Sequence, residues 1–537
     1  MLRFFILLSI SGLMNAHADE PFTAGLKARL LRKSLFKENV KLINEPGVRQ
    51  YYLKNGFTPI WYISDSLSQN ALTLLERLRQ ARQDGLRPRE YHISILNQLL
   101  SRAPQEIQER INIELLLTDS FMSYTDHLLH GRTRPAIADP EWHIKRPAGP
   151  PPEWPLDQLS GSKPVTEILD EAAPQEAAYY RLKTALKRYL EIRDSGGWSW
   201  PKEGRFLKFG DRGKNVQKLS KLLHLTGDLI EEPKIVSRGD EECVFDSLVG
   251  NGLRNFQLRH GLAPDGTMNA PTSKALGVSV NERIIQIELN MERWRWLSRK
   301  LNRPALIVNV PEFNLKVWDE KGSLLAMRVV VGQQLRRTPA FEGSIKTVVI
   351  NPKWVVPDRI AVEDLLPAIK RDFLVLKRKK IRLYGWKNAR LVELSPKAIN
   401  WQNITPDTFD FQLVQDPGPE NVQGRFKFVF PNLFGIYIHD TPAKTLFEQK
   451  ARTFSSGCIR VENAEALAEY LLKNVEGKNW EQINKNLEKP IPLEISLTSN
   501  ISVYLFYWTA WVDEDNLLQF RDDIYGRDTL LRSVLAY

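Results

Sequence analysis

Apolar residues recur along this chain at two periods, near 3.6 and near 2. The change from one to the other divides it. From 19 to 200 the spacing is helical. Leu117, Phe121, Tyr124 and Leu128 fall on one face of a helix. Leu75, Leu78 and Arg82 form another stripe, which Gly85 closes as a C-cap. Tyr179, Leu182, Leu186 and Leu190 form a third, stopped at Gly196-Gly197. Prolines crowd the stretch from Pro135 to Pro155, which predicts an extended loop or linker. Residues 205–278 predict three short helices. The first carries Val216, Leu219, Leu222 and Leu223, and the second carries Leu253, Phe256 and Gln257. The third is capped at Asn269 and entered through Pro271. Ser279 and Glu282 have the spacing of a capping box and open a helix to about Lys300. Its Trp294, Trp296 and Leu297 suit a place between domains. From Pro304 the period becomes 2, with strands over Ala305–Val310, Asn314–Trp318 and Leu324–Val331. Phe426, Phe428 and Phe430 alternate with Lys427 and Val429, and Val503–Trp511 reads as a final aromatic strand. Residues 357–416 read as a mixed insertion with a helix around Glu363–Lys370. The expected architecture is multidomain α+β, with boundaries at 19–204, 205–278, 279–303 and 304–537.

Composition sets the surroundings more than the fold. The chain has 537 residues, a net charge of +11 and a pI near 9.3. That balance favours polyanionic partners. No dense basic block with interleaved aromatics stands out, so nucleic acid is not an expected partner. The run Lys377–Lys380 reads as a solvated charge cluster. Residues 1–18 read as a cleavable signal peptide: Arg3, an apolar run over Phe4–Met14, then Ala16-His17-Ala18. The protein is therefore expected to be exported and soluble. His127 and His130 lie at i, i+3, but no HExxH or acidic third ligand accompanies them, and no metal or cofactor is expected.

The candidate chemistry lies between Gly435 and Val461. This stretch holds His439 and Cys458, the latter one of two cysteines. A thiol attacks as its thiolate and needs a base or a positive neighbour to lower its pKa. His439 can supply the first and Arg460 the second. Ile436–His439 alternates as a half-buried strand does, with Tyr437 and His439 on one face. Gly457 permits positive φ and a close backbone approach. Asn463 can cap a helix carrying Ala464, Leu467, Ala468 and Leu471. On these residues alone, a buried structural cysteine beside a satisfied histidine is the plainer account. A disulfide between Cys243 and Cys458 also stays open.

His439-Asp440-Thr441-Pro442 followed by Ser455-Ser456-Gly457-Cys458-Ile459-Arg460 resembles the signature of the L,D-transpeptidases. The likeness is closest to their large Gram-negative periplasmic branch. It extends to NPKWVVP at 351–357, QDPGPENVQGRFKFVFPN at 415–432, VYLFYWTAWV at 503–512, YYLKNGFTPIW at 51–61 and DGLRPREYHI at 84–93. The resemblance implies a helical scaffold domain over 19–204 and a β-sheet-rich, sandwich-like catalytic domain over 304–537. It makes the 357–416 insertion a mobile lid. Residues 205–278 resemble a three-helix peptidoglycan-binding domain, through Gly213, Val216, Leu219, Phe256-Gln257, Gly261-Leu262 and Asp265-Gly266. They depart from that pattern at an extra loop, Glu231–Glu242, and at Asp246–Gly250.

By that resemblance Cys458 attacks a peptidoglycan stem tetrapeptide at its third residue, and D-alanine leaves. An amine on a second stem then takes the acyl group, giving a 3→3 cross-link. His439 moves the proton, the Asp440 carbonyl orients it, and the N–H groups of Gly457 and Cys458 hold the oxyanion. Arg460, Tyr437 and Ser456 are the candidate substrate contacts. The donor and acceptor stem tetrapeptides are the implied partners, other cell-wall synthesis proteins are admissible ones, and a carbapenem is expected to add covalently at Cys458. The implied compartment is the periplasm. The same dyad would serve an L,D-carboxypeptidase or L,D-endopeptidase, and a non-catalytic cell-wall-binding scaffold is the reading from another class.

Overall fold

The apolar stripe through Leu117 and Leu128 forms the single long helix α1 (Ile107–His130) in a computed structural model. The structure describes residues 20–36, 40–102, 106–145, 148–200, 207–231, 243–320 and 322–537. The expected signal peptide and all but Glu231 of the extra loop at 231–242 lie outside these. Two compact units result: residues up to 132 with 147–175, and residues 133–146 with 176–537. In the first, Leu117, Phe121, Tyr124 and Leu128 of α1 are buried at the centre of a helical core. Each such side chain contributes roughly 1.5–3 kcal/mol on burial. His127 bonds the Tyr91 hydroxyl at 2.8 Å and His130 bonds Asp126 at 2.7 Å.

The second unit opens with α2 (Ala177–Asp194). Three short helices follow, α3 (Lys214–Thr226), α4 (Ser247–Arg259) and α5 (Ala270–Leu276). They close around Val216, Leu219, Leu223, Leu253 and Phe256. Asp246 caps α4 and Asn269 caps α5, each through its side-chain oxygen. The capping box at Ser279 is half made. Ser279 accepts the Glu282 N–H at 3.3 Å, but the Glu282 carboxylate pairs with Arg532 at 2.6 Å. The helix it opens, α6 (Val280–Arg295), stops short of Lys300. Trp294 of α6 stacks on Trp508 at 4.6 Å.

The strand-rich domain is built from β1 (Ala305–Asn309), β2 (Asn314–Asp319), β3 (Gly322–Gly332) and β4 (Phe341–Ile350). An insertion follows with β5 (Trp354–Val355), β6 (Ile381–Lys387), β7 (Arg390–Leu394) and β8 (Phe411–Gln415). The main sheet resumes with β9 (Phe426–Val429), β10 (Ile438–His439), β11 (Thr453–Ser455), β12 (Ile459–Val461) and β13 (Leu493–Phe506). Its order is β11-β3-β12-β10-β9-β4-β13-β1-β2, and β2 pairs again with β3. The strand-rich, sandwich-like expectation holds, and the sheet also closes on itself into a barrel around Phe426, Phe428, Ile438, Ile459 and Val503. The insertion has its own four-stranded sheet and its own core, including Leu366, Ile369, Leu383, Trp401 and Leu413.

One expectation differs from what forms. The aromatic strand at 503–511 is neither continuous nor last. β13 ends at Phe506, because Thr509 turns aside to bond Asn290 and Asp528. The chain then makes the hairpin β14 (Ala510–Val512) and β15 (Leu518–Phe520). The proline-rich stretch is mostly loop, as expected, but it is shared between the two units. Its residues 133–146 belong to the second unit, with Trp142 bridging to Ala340 and Asp139 paired with Arg527 at 2.5 Å.

Candidate active site

A register decides which side chains share the working face. Lys427 on β9 lies opposite His439 on β10, and His439 lies beside Arg460 on β12. Residues in register share a face, and alternate residues return to it. Phe428, Ile438 and Ile459 therefore fill the barrel core and are fully buried. Lys427, His439 and Arg460 form a row on the other face. The Ile459 N–H donates to the Tyr437 carbonyl at 2.9 Å, so Tyr437 and Cys458 make the next pair back on that same face. The sequence thus brings Cys458, His439, Tyr437 and Arg460 together.

His439 is 6 % exposed, and its Nδ1 lies 2.5 Å from the Asp440 carbonyl oxygen. That bond assigns the proton to Nδ1 and leaves Nε2 free to accept one. Asp440 is itself pinned. Its Oδ2 accepts the Arg425 N–H at 2.9 Å and its Oδ1 pairs with Lys444 at 2.7 Å. Gly424, at φ +61°, makes room for this, since a Cβ there would lie 2.3 Å from Oδ2.

Cys458 follows Gly457, whose φ of +110° favours glycine. Thr338 locks that turn, donating from Oγ1 to the Gly457 carbonyl at 2.8 Å and accepting the Gly332 N–H at 2.9 Å. The expected oxyanion pair is corrected here. The turn sends the Gly457 N–H back to Ser455 Oγ at 3.1 Å, so that N–H does not stand free for an oxyanion. Both cysteines are free, so the open disulfide is not formed.

The thiol is not held ionised at rest, which corrects the expectation of a lowered pKa. Burial pushes the Cys458 thiol up, outweighing a Tyr437 backbone hydrogen bond and the charges of Lys427 and Arg460. Burial first, then Arg460, pushes His439 down to about 4. Sγ meets the Gly435 carbonyl at 3.9 Å. Both shifts favour the neutral thiol and the neutral imidazole.

Arg460 has no ion-pair partner among the described residues, and its buried Nε has no acceptor. Ser456 Oγ accepts from Arg336 at 2.9 Å. Arg336 also forks onto Asp364 at 2.6 Å and reaches Glu363 at 2.7 Å, both in a wide π-helical turn of the insertion (Ala361–Leu365). Sequence reasoning passed over Arg336, Thr338 and Lys427 as site residues. Lys427 had left a signal, since alternation with Phe426 and Phe428 puts it on the face of His439. Arg336 and Thr338 left none.

Residues 303–479 match the family model of the L,D-transpeptidase catalytic domain, and residues 46–186 match that of the Scaffold domain. The 303–479 segment, about a third of the chain, is similar to the L,D-transpeptidase catalytic domain. Lys427, His439, Cys458 and Arg460 all fall inside it. The protein named "Putative L,D-transpeptidase" in Haemophilus influenzae is 33% identical over 263 residues, covering 49% of this chain and 50% of that protein. The chain thus spans about half the length of that curated relative. A solved L,D-transpeptidase from Xylanimonas cellulosilytica matches 56% of this chain and 98% of its own, at 11% identity and a TM-score of 0.18.

Proposed function

We propose that the L,D-transpeptidase domain forms 3→3 cross-links between peptidoglycan stem peptides by acyl transfer through Cys458. The observation that carries this reading is the shared face of Cys458 and His439, with the imidazole fixed to the Nδ1–H tautomer by Asp440. Nε2 takes the thiol proton as Sγ attacks the carbonyl of the third residue of a stem tetrapeptide. The Cys458 N–H receives the developing oxyanion. Removing one such donor typically costs about 3 kcal/mol of transition-state stabilisation. The C–N bond to D-alanine breaks, and His439 returns the proton to the departing amine. A side-chain amine of a second stem then attacks the thioester. A C–N bond forms, the C–S bond breaks, and the sulfur recovers a proton.

Export through the first 18 residues to the periplasm belongs to the same reading, as does covalent capture of a carbapenem on Cys458. The test is incubation of the purified protein with diaminopimelate-containing tetrapeptide muropeptides, followed by mass analysis. Cross-linked dimers should form with the wild type and vanish with Cys458→Ala. Tripeptides alone would replace transfer with hydrolysis. Unchanged muropeptides would overturn the enzyme reading in favour of a binding scaffold.

A further inference from the structure

We propose that Lys427 and Arg460 form two separate anchor points for a donor peptide bearing two carboxylates, one on each side of His439. The proposal rests on the acyl-transfer reading above and specifies what its donor must carry. The register supplies the geometry: Lys427 and Arg460 flank His439 in one row of the sheet, on the face of Cys458. Their backbones are two strand spacings apart, about 9.6 Å, which favours two anions over one shared carboxylate.

Charge supplies the second observation. Neither cation has a carboxylate within ion-pair distance among the described residues. Arg460 Nε is buried without any acceptor. Lys427 Nζ lies 3.8 Å from the centre of the Tyr437 ring, which steadies the ammonium without neutralising it. Burial pushes both groups below their ordinary values. Arg328 pairs with Glu462 and Arg336 with Asp364, and Arg452, which has no ion pair among the described residues, donates instead to the Val329, Gln449 and Phe313 carbonyls; Arg460 Nε has neither kind of partner. Keeping two sheltered cations unpaired is costly, and an anion that arrives with the substrate offsets the cost.

The chemistry of a stem tetrapeptide provides two such anions close to the reacting carbonyl. One is the carboxylate on the side chain of the third residue, and the other is the terminal carboxylate of the departing D-alanine. A carboxylate seated on Arg460 also cancels one of the charges that hold His439 down. The imidazole then becomes a stronger base once the donor is in place.

The test crosses three peptides with four proteins. The peptides are the tetrapeptide itself and its two forms with one of these carboxylates amidated. The proteins are the wild type, Lys427→Gln, Lys427→Arg and Arg460→Gln, each checked for unchanged thermal unfolding. In the wild type, either amide should lower kcat/KM by roughly 30-fold or more, as expected when one partner of a sheltered charge pair is removed. Lys427→Gln should be slower on the free peptide and indifferent to one amide. Arg460→Gln should be indifferent to the other, and Lys427→Arg should keep most of the wild-type pattern. Amide penalties unchanged in Lys427→Gln would overturn the proposal, as would both variants ignoring the same amide. A wild type that consumes none of the three peptides would overturn the acyl-transfer reading itself.

Discussion

His439 sits in a pocket that favours its neutral form, and the pH behaviour follows from that. Its ordinary value is 6.5, and in the fold it lies at about 4. Between those values the unfolded chain binds the proton and the folded chain does not. Stability therefore falls as pH drops through this window, by at most ~3 kcal/mol from this group. His439→Gln should lose that part of the acid sensitivity, as read by chemical unfolding at pH 7 and pH 4.5. On the proposed mechanism the imidazole stays competent as a base well into the acid range. The acid limb of kcat/KM should lie near pH 4, and a limb near 6.5 would contradict a buried neutral base. That His439 and Cys458 share a face was legible in part, because Ile436–His439 alternates as a strand does. The resting charge of the pair was not. That depends on burial and on Lys427 and Arg460, which a sheet brings together from separate strands.

At the scale of elements, the strands were legible wherever one face meets the core. Phe426 and Phe428 alternate against Lys427 because the barrel is filled from one side only. Closure of the sheet through β2 and β3 left no such trace, since pairing between strands adds no periodicity along either. The break after Phe506 was hidden for the same reason: its cause is Asn290 on α6. The insertion shows an element-level device that sequence could not reveal. Arg336 joins its π-helical turn to Ser456, two residues before Cys458. Arg336→Ala should raise hydrogen exchange across 358–371 and leave global unfolding nearly unchanged, since each partly exposed pair is worth about 1 kcal/mol or less. Unaltered exchange there would mean that the insertion is held by other contacts.

At the scale of the molecule, composition told nothing of which unit holds the proline-rich stretch. Prolines made 135–155 look like one connecting loop, yet 133–146 is built into the unit that contains the barrel. Asp139 is 1 % exposed, and Arg527, its partner, comes from the far end of the chain. No local pattern could foretell that pair. Trp142 continues the attachment at Ala340, and Glu141 reaches Arg337 at 3.3 Å. Asp139→Ala should leave a sheltered guanidinium without its counter-charge and cost roughly 3–5 kcal/mol. Denaturant unfolding followed by tryptophan fluorescence should register that loss. A change below about 1 kcal/mol would show that the pair contributes little to holding the segment.

The uncharged state of the Cys458 sulfur has a consequence beyond the reaction. Peroxides act on thiolates far faster than on thiols. Burial that holds the proton on this sulfur also slows its oxidation to sulfenic acid, so Cys458 should react with peroxide more slowly than a thiol whose surroundings favour the thiolate.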